Sequence, residues 1–419
     1  MEKGLADFYL KQVEDVLLPF WNRALDQKHG GIFTCFNNRG DALVSTDKYT
    51  WSQGRFLWLW SEIIRLIDQN ILKGEREEYL RHLNRSASFL EEHVFLPNGN
   101  CAFLLTKEGH KKESVAGAGY DSSIYADCFV ALGLAKVAGL THDEKRFERV
   151  LDLYHRIRRR IEKGSISTEP YPIPKDYRAH SIPMIMLNVA QEMAEVAVRM
   201  IHPARQQLVA HSVEYMEDIM EHFYMPDHRV VEMLPIQRST NEDKSLLYRH
   251  LNPGHTIESM WFVIHTAREQ GYKNYVEQAV KAIRHAVTLG WDEQYGGLLR
   301  FVDREGGKPR GAAGETAYEE LILGSWNMKL WWPHSEALYA LLLAYDLTRD
   351  EKMLKLYEKV EQYVFNTFPN PDKNIGEWIQ IRDRKGKPID KIAALPVKDP
   401  FHILRNMILI IDLLAEKEE

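Results

Sequence analysis

The feature that most constrains the fold of this chain is a sixfold alternation of helical pairs with short, turn-rich segments. The 3.6-residue hydrophobic period predicts about twelve helices, starting near residues 3, 49, 75, 119, 143, 180, 204, 253, 273, 327, 350 and 398. Between the members of most pairs lies a Gly-containing extended segment, such as HGGIFTCFNNRGD or QYGGLLRFVDREGG, which is typical of a small β-hairpin. The chain is therefore expected to be all-α, with short hairpins between its helices.

Proline positions support this repeat. Pro183, Pro253, Pro333 and Pro400 stand at or near first helical positions, and their spacings are 70, 80 and 67 residues. A period near 70 over 419 residues gives six helix-hairpin-helix units, the number that an (α/α)6 barrel of twelve helices requires. We predict such a barrel, with the hairpins at one end; an unclosed helical array is the alternative. No linker of Pro, Ser and Gly divides the chain, so residues 1–419 are expected to form a single domain.

Charge and composition exclude several classes of function. The chain has 54 Lys and Arg against 60 Asp and Glu, a net charge of −6, which disfavours nucleic-acid binding. The N-terminal segment MEKGLADFYLKQVED is too charged for a signal peptide, and no apolar run approaches the roughly 18 residues that span a bilayer. Cys35, Cys101 and Cys128 lack metal-ligand spacing and fit a reducing compartment. We expect a cytoplasmic protein without a membrane or nucleic-acid partner.

Two histidines occupy matching places near predicted helix starts. Phosphate-loop, GxGxxG, HExxH and GxSxG motifs are absent, so the candidates are histidines and carboxylates. In HLNPGHTIESMWF, Asn252 is the expected N-cap and His255 lies in the first turn; in VKDPFHILRN, Asp399 and His402 have the same relation. A helix N-terminus disfavours imidazolium, so both pKa values are expected to be lowered, as suits a general base. The alternative is that each histidine only bonds a neighbouring turn.

Further candidates lie near the starts of the same class of helices. KYTWSQGR supplies Arg55, NPGHTIE supplies Glu258, and the hairpin motif GEW supplies Trp378. The motif KLWWPHSEA places two tryptophans beside a histidine and a glutamate. Indole faces with convergent charged groups suit a sugar ring, although core packing is the alternative for each tryptophan. The residues predicted to bind substrate are Arg55, Glu258, Trp331, His334, Glu336 and Trp378.

Five motifs, KYTWSQGR, NPGHTIE, GWDEQYGG, KLWWPHSEA and GEW, occur in an order that resembles the N-acylglucosamine 2-epimerase family, also known in animals as renin-binding protein. The resemblance implies an (α/α)6 barrel, a homodimer, and interconversion of N-acetylglucosamine and N-acetylmannosamine without a metal or redox cofactor. It assigns acid/base catalysis to His255 and His402, and contact with the open-chain sugar to Arg55. ATP activates animal and cyanobacterial members, but we assign no residue here to ATP. The remaining candidates match substrate-pocket positions of the family: Glu258, Trp331, His334, Glu336 and Trp378.

The wider superfamily includes cellobiose 2-epimerases and mannose isomerases, so action on free aldoses such as mannose, glucose or cellobiose is the main alternative. Cellobiose epimerases carry a His-x-His element in the sixth helix, whereas this chain has HSIPMIMLN with His180 at its start. The sequence PHSEA, in place of a VQAEA-like version, also favours the N-acylhexosamine branch. His250, beside NPGH, has no counterpart in the family pattern that we can place.

The expected chemistry is proton transfer at C2 of the open-chain sugar. A C2–H beside an aldehyde can be removed by a neutral imidazole if a cation such as Arg55 stabilises the developing enolate oxygen. Inversion needs one group on each face of the planar enediolate, which suits His255 and His402. Either a histidine or Glu258 would also open the pyranose ring. More distant alternatives are a glycoside hydrolase using a pair of carboxylates and a non-catalytic binding protein.

Overall fold

The computed structural model describes residues 2–237 and 244–415. A π-helical turn, Gln12–Leu17, joins the first two helices, and another, Ile219–Phe223, extends the eighth. In chain order the helices are α1 (Glu2–Lys11), α2 (Leu18–Arg23), α3 (Thr50–Asp68), α4 (Arg76–His93), α5 (Ile124–Thr141), α6 (Glu144–Glu162), α7 (Ser181–Arg199), α8 (Arg205–Asp218), α9 (Leu246–Arg249), α10 (Pro253–Gln270), α11 (Lys273–Gly290), α12 (Ala317–Ser325), α13 (Trp331–Thr348), α14 (Glu351–Thr367) and α15 (Phe401–Ala415).

Six helices form a closed inner ring. In the order α3, α5, α7, α10, α13 and α15, each inner helix packs against the next, and α15 returns to α3. An outer helix packs on each of them: α4, α6, α8, α11 and α14 follow their inner partners, and α1 packs on α15. The inner helices are buried along most of their length, whereas the outer ones bury one face. The predicted (α/α)6 barrel is confirmed, and the unclosed array is excluded.

Short antiparallel strands join neighbouring repeats at one end of the barrel. The strand before an inner helix pairs with a hairpin strand of the following repeat, so the predicted hairpins also connect repeats. The described residues form one three-stranded sheet, β1–β2–β3, and three two-stranded sheets, β4–β5, β6–β7 and β8–β9. Their bounds are β1 (Lys48–Tyr49), β2 (Leu104–Leu105), β3 (Lys111–Lys112), β4 (Tyr177–Ala179), β5 (Met233–Pro235), β6 (His250–Leu251), β7 (Val302–Asp303), β8 (Lys329–Leu330) and β9 (Ile381–Arg382).

Buried ion pairs repeat with the same geometry in two of these strands. Nζ of Lys48, the first residue of β1, lies 2.7 Å from Oδ2 of Asp26 and 2.7 Å from a glycine carbonyl. Nζ of Lys329, the first residue of β8, lies 3.2 Å from Oδ2 of Asp292 and 3.0 Å from a glycine carbonyl. Because each ammonium group is fully buried, it needs such partners. The pairs fix the chain where it enters inner helices α3 and α13.

Two helices outside the barrel and some boundaries differ from the prediction. The helices expected near 119 and 327 begin at Ile124 and Trp331, because extended segments precede them. Neither α9 nor α12 was predicted, since both are too short for a periodic signal. Helix α12 has a capping box between Thr316 and Glu319, a local signal that the periodicity argument missed.

Helix α5 is long and apolar enough to cross a membrane, with a mean hydropathy of 1.5 over 18 residues. The prediction that no apolar run approaches this length was therefore wrong. The helix is 83% buried inside the protein, because an inner helix of the barrel packs against both neighbours and an outer helix. Burial within the barrel accounts for its composition without a bilayer.

Candidate active site

A cavity of about 190 Å³ lies at the N-terminal ends of the inner helices. Its walls include Arg55 of α3, His255 and Glu258 of α10, and His402 and Arg405 of α15. These side chains stand at one level of the barrel: Arg55 and Glu258 are the sixth residues of their helices, and Arg405 is the fifth of α15. The two histidines are the third and second residues of theirs. Residues far apart in sequence therefore converge at corresponding positions of the repeat.

The predicted helix caps are present. Oδ1 of Asn252 accepts a hydrogen bond from the backbone N–H of His255 at 3.2 Å, as an N-cap does. Oδ1 of Asp399 accepts one from the backbone N–H of Phe401 at 2.8 Å. These caps begin α10 and α15 immediately before the two histidines, and so fix the level at which each imidazole enters the cavity.

His255 is hydrogen-bonded to a buried carboxylate that lies immediately before a strand. Its Nδ1 lies 3.0 Å from Oε2 of Glu232 in the segment leading into β5, and Glu232 is only 2% exposed. Burial lowers the pKa of His255, but the Glu232 carboxylate more than offsets this effect, so the pKa is raised above its ordinary value of 6.5. The predicted lowering is wrong for His255: a helix N-terminus is worth about 0.3–1 kcal/mol, less than a buried neighbouring charge.

His402 is held between two charged groups. Its Nδ1 lies 2.7 Å from Oε1 of Glu336, and its Nε2 lies 3.4 Å from Nη2 of Arg55. Arginine only donates hydrogen bonds, so Nε2 accepts and the ring proton sits on Nδ1, facing the carboxylate. In this tautomer the lone pair of the ring is on Nε2, on the side of Arg55.

The ring of Trp332 lies between the two histidines and contacts both. Its ring centroid lies 5.3 Å from that of His255 and 5.5 Å from that of His402, with interplanar angles of 39° and 42°. The tryptophan fits because position 254 is glycine: a Cβ there would approach its ring to 2.5 Å. Trp332 therefore separates the imidazoles and supports both, and Gly254 of the NPGH motif makes room for it.

Arg55 is clamped by aromatic rings and by an aspartate. Its guanidinium donates to Asp399 through Nη1 and lies 4.0 Å from the ring centroid of Phe129. Trp51 and Phe401 also lie against it, at 4.9 and 5.0 Å. Contacts on several sides fix the position of this cation beside His402, where it can stabilise an oxyanion of a bound ligand.

A buried cluster of two carboxylates and an arginine lies behind His402. Nη2 of Arg405 donates to Oε1 of Glu258 at 2.5 Å and to Oε1 of Glu336 at 2.7 Å. Trp261 donates its indole N–H to the second oxygen of Glu336 at 2.7 Å. Burial raises the pKa of Glu336, but Arg405 and His402 outweigh it and lower the pKa to about 2. Glu336 is therefore an anion that orients His402 from outside the cavity wall, rather than a predicted contact with substrate.

Glu258, Glu336 and His402 present donor atoms within 4.8 Å of one another, a spacing that could suit a metal ion. The Arg405 guanidinium already binds both carboxylates, so a cation is in place between them. The cluster is better described as a compensated ion network than as a vacant metal centre.

Besides Glu336, two more predicted substrate-binding residues do not line the cavity. His334 is fully buried, its Nε2 accepts the backbone N–H of Leu298 at 2.8 Å, and its Nδ1 lies 2.6 Å from the carbonyl of Leu330. Burial lowers the pKa of His334 to about 3, so it is neutral. Trp378 is also fully buried and stacks on Phe368 at 5.7 Å. We correct both assignments: these residues support the hairpins and the outer layer. Trp331 does line the cavity.

Two further histidines, His180 and His250, lie near the cavity. His180 precedes α7 and lies with Nδ1 3.4 Å from Oε1 of Glu232. His250 lies in β6, with Nε2 3.3 Å from the hydroxyl of Tyr318, which lines the cavity. Burial lowers the pKa of His250.

A second cavity, of about 1140 Å³, opens at the C-terminal ends of the inner helices. Arg405 and Asn188 line both cavities. Lys136 is buried in its wall, with Nζ 3.0 Å from Oε1 of Glu62 and 2.9 Å from Oε2 of Glu192. The buried Lys136 at this end is paired with carboxylates, whereas the helix caps and the two cavity histidines lie at the other end.

The comparison with known proteins identifies the family of this barrel. The model of the N-acylglucosamine 2-epimerase (GlcNAc 2-epimerase) family matches residues 31–405. The chain belongs to this family. The N-acylglucosamine 2-epimerase of Mus musculus is 29% identical over 423 residues, which cover 96% of this chain and 91% of that protein.

Solved structures of the same fold include two cellobiose 2-epimerases. The enzyme from Spirochaeta thermophila superposes with a TM-score of 0.76 at 14% identity, over 100% of this chain and 98% of that one. The enzyme from Bacillus thermoamylovorans gives a TM-score of 0.73 at 18% identity, over 98% and 100%. The family match confirms the predicted resemblance and the predicted enzyme class, an isomerase, and these structures confirm the fold.

Among the residues of this epimerase-family site, sequence reasoning missed Glu232 and Arg405 and gave Trp332 no role. Arg405 had a usable signal, because it follows His402 by three residues as Glu258 follows His255, which places both on the inward face of their helices. Glu232 is the one charged residue in the apolar segment VVEML, a weaker signal.

Proposed function

We propose that this protein is a sugar 2-epimerase that interconverts N-acetylglucosamine and N-acetylmannosamine by proton transfer at C2 of the open-chain sugar. The observation that carries the proposal is the pair of imidazoles at one cavity. Nδ1 of each is bonded to a buried carboxylate, Glu232 for His255 and Glu336 for His402. In each ring we assign proton transfer to Nε2, the nitrogen on the side away from the carboxylate; in His402 it lies beside Arg55.

His402 is the base in one direction of the reaction. Its Nε2 takes the C2 proton, and the electron pair moves into the C1–C2 bond while the aldehyde oxygen becomes an enolate oxygen; C2 keeps its N-acetylamino group. Glu336 stabilises the imidazolium that forms on His402, because it is an anion 2.7 Å from Nδ1. Arg55, beside Nε2, stabilises the enolate oxygen.

His255 is the acid in the same direction. The Glu232 carboxylate favours its protonated form, so His255 enters the reaction as imidazolium and gives the proton on Nε2 to the opposite face of C2. The product is inverted at C2, His402 carries the abstracted proton, and His255 is neutral. In the reverse reaction the roles exchange. Ring opening is assigned to a histidine or to Glu258, which also faces the cavity.

The two alternatives from the sequence fit the site less well. A glycoside hydrolase needs two carboxylates that flank a glycosidic oxygen, yet Glu258 and Glu336 both bind the same nitrogen of Arg405. A third carboxylate, Glu377, is paired with Lys398 at 2.8 Å. A purely binding protein would not need two imidazoles, each bonded to its own buried carboxylate.

The choice of an N-acetylated substrate rests on the names of the family and of its relatives, together with the PHSEA and HSIPMIMLN motifs. One NMR experiment tests it: the protein is incubated in D2O with N-acetylglucosamine, N-acetylmannosamine, glucose, mannose, fructose and cellobiose in turn. We expect deuterium at C2 and formation of the other epimer with the two N-acetyl sugars. Turnover of free aldoses alone would show that the substrate is a free aldose. Turnover of none of these sugars would refute the proposed function.

Three further properties are part of the proposal. Cytosolic location is supported by three free, buried cysteines. A homodimer, and activation by ATP without any metal or redox cofactor, are carried over from the family resemblance. Sedimentation tests the homodimer, and initial rates with and without ATP test activation by the nucleotide.

A further inference from the structure

A closed chain of hydrogen bonds surrounds one side of His255. The Glu232 carboxylate binds Nδ1 of His255 with one oxygen, at 3.0 Å, and Nδ1 of His180 with the other, at 3.4 Å. Nε2 of His180 then lies 2.9 Å from Oγ of Ser259, four residues after His255 on α10. The backbone N–H of His180 also donates to the carbonyl of Glu232 at 2.9 Å. The circuit therefore begins and ends on the same helix.

The members of this circuit have little freedom to move. His180 and Ser259 are fully buried, and Glu232 is 2% exposed, whereas the side chain of His255 is 26% exposed. The imidazole at the cavity is thus supported by a wall that solvent does not reach. Hydrogen bonds to buried charges are stronger than those at a surface, and they fix ring orientation and tautomer.

We infer that Glu232 and His180 are positioning residues: Glu232 holds the proton of His255 on Nδ1 and aims Nε2 into the cavity, and His180 holds Glu232. This inference rests on the proposed function for its consequences in catalysis. The groups that face His255 from the elements around it are Glu232, Glu258, Arg300, His180 and His250. Of these, Glu232 alone contacts its ring nitrogen among the described residues.

The test is Glu232→Gln, which keeps the shape of the side chain and removes its charge. The imidazole of His255 is titrated by NMR in wild type and variant, with its signal assigned by its loss in His255→Asn. We expect the pKa of His255 to fall in Glu232→Gln, because the carboxylate that favours imidazolium is gone. The matched control is Glu62→Gln, a buried carboxylate in the second cavity, which should leave the His255 titration unchanged.

Kinetics provide a second readout. We expect kcat to fall about 10- to 100-fold, the range seen for carboxylates that orient a metal-bound imidazole, while KM changes little. In both directions of the reaction the limb of the pH-rate profile that belongs to His255 should move to lower pH. Glu232→Asp, which restores the charge, should recover part of the pKa shift and of kcat.

His180→Asn gives the same test one step further out, and serves if Glu232→Gln does not fold. It should move the His255 titration in the same direction but less. An unchanged His255 titration in a folded Glu232→Gln or His180→Asn would overturn the inference, whatever the activity. Absence of epimerisation in the wild type would instead overturn the proposed function, since the NMR titration does not depend on turnover.

Discussion

Nη2 of Arg55 lies 3.4 Å from Nε2 of His402, the nitrogen to which we assign removal of the C2 proton. Since arginine cannot accept a hydrogen bond, this contact favours the tautomer of His402 that has its lone pair on Nε2. His255 has a carboxylate and no cation on its Nδ1, and its imidazolium is favoured. The proposed mechanism is therefore asymmetric in the free enzyme, with the base assigned to one side of Trp332 and the acid to the other.

The first prediction concerns each histidine alone. His255→Asn and His402→Asn should both abolish epimerisation, because one remaining base returns a proton only to the face from which it came. In D2O each variant should still exchange C2–H of one epimer, and the two variants should exchange opposite epimers. NMR of the C2 proton measures both. Exchange of the same epimer by both variants would point to a single base.

The second prediction follows the proton in the wild-type enzyme. Because different groups take and give the proton, the product formed early in D2O should carry deuterium at C2, while recovered substrate stays protiated. Mass spectrometry of both epimers at low conversion provides the measurement. Protium retained in the product would mean that one group carries the same proton between faces.

The third prediction is that Arg55→Lys lowers kcat by about 100- to 1000-fold, the typical cost of losing a donor to a developing oxyanion. Lysine keeps the charge but cannot reach Asp399 and the cavity with two fixed nitrogens. Steady-state kinetics with each epimer separate the constants. An effect confined to KM would show that Arg55 only binds the ground state.

The fourth prediction separates His334 from the chemistry. His334→Phe leaves the buried N–H of Leu298 and the carbonyl of Leu330 without the imidazole, so it should lower the free energy of unfolding by about 1–3 kcal/mol while kcat stays close to wild type. Urea denaturation measures the first quantity.

The same variant has a defined pH dependence. The pKa of His334 falls from 6.5 in the unfolded chain to about 3 in the fold, so its stabilising effect is fully present above pH 6.5 and is lost as the pH falls towards 3. The stability difference between wild type and His334→Phe should shrink over that interval. A difference that is constant from pH 7 to pH 4 would contradict the assignment.

The fifth prediction is that EDTA leaves the rate of epimerisation unchanged. The carboxylates of Glu258 and Glu336 are neutralised by Arg405, so the site has its cation without a metal. Initial rates after dialysis against EDTA test this. Loss of activity that a divalent ion restores would show that a metal is required.

The barrel could be predicted because its signals are local and repeated six times. The level of His255 and His402 was predictable for the same reason: Asn252 and Asp399 cap their helices only a few residues earlier. The Glu232 contact depends instead on a residue 23 positions before His255, immediately before β5, whose position only the folded β4–β5 pair determines.

The error at His334 has a geometric cause. Successive residues of an α-helix are rotated by about 100°, so positions 334 and 336 point in nearly opposite directions. Trp332 and Glu336 are four residues apart and share the inward face, and His334 faces the outer layer. The motif shows which helix carries these residues. Which of them face the cavity depends on the 3.6-residue period of the helix. Likewise, the pKa of His255 depends on a tertiary contact that outweighs its helix N-terminus.

Arg405 and Asn188 face both the catalytic cavity and the larger cavity at the other end of the barrel. At these two points the floor of the catalytic cavity is one side chain thick. A shorter residue at position 405 is expected to weaken the barrier between the two cavities. The guanidinium of Arg405, which neutralises Glu258 and Glu336, therefore also forms part of the partition between the two cavities.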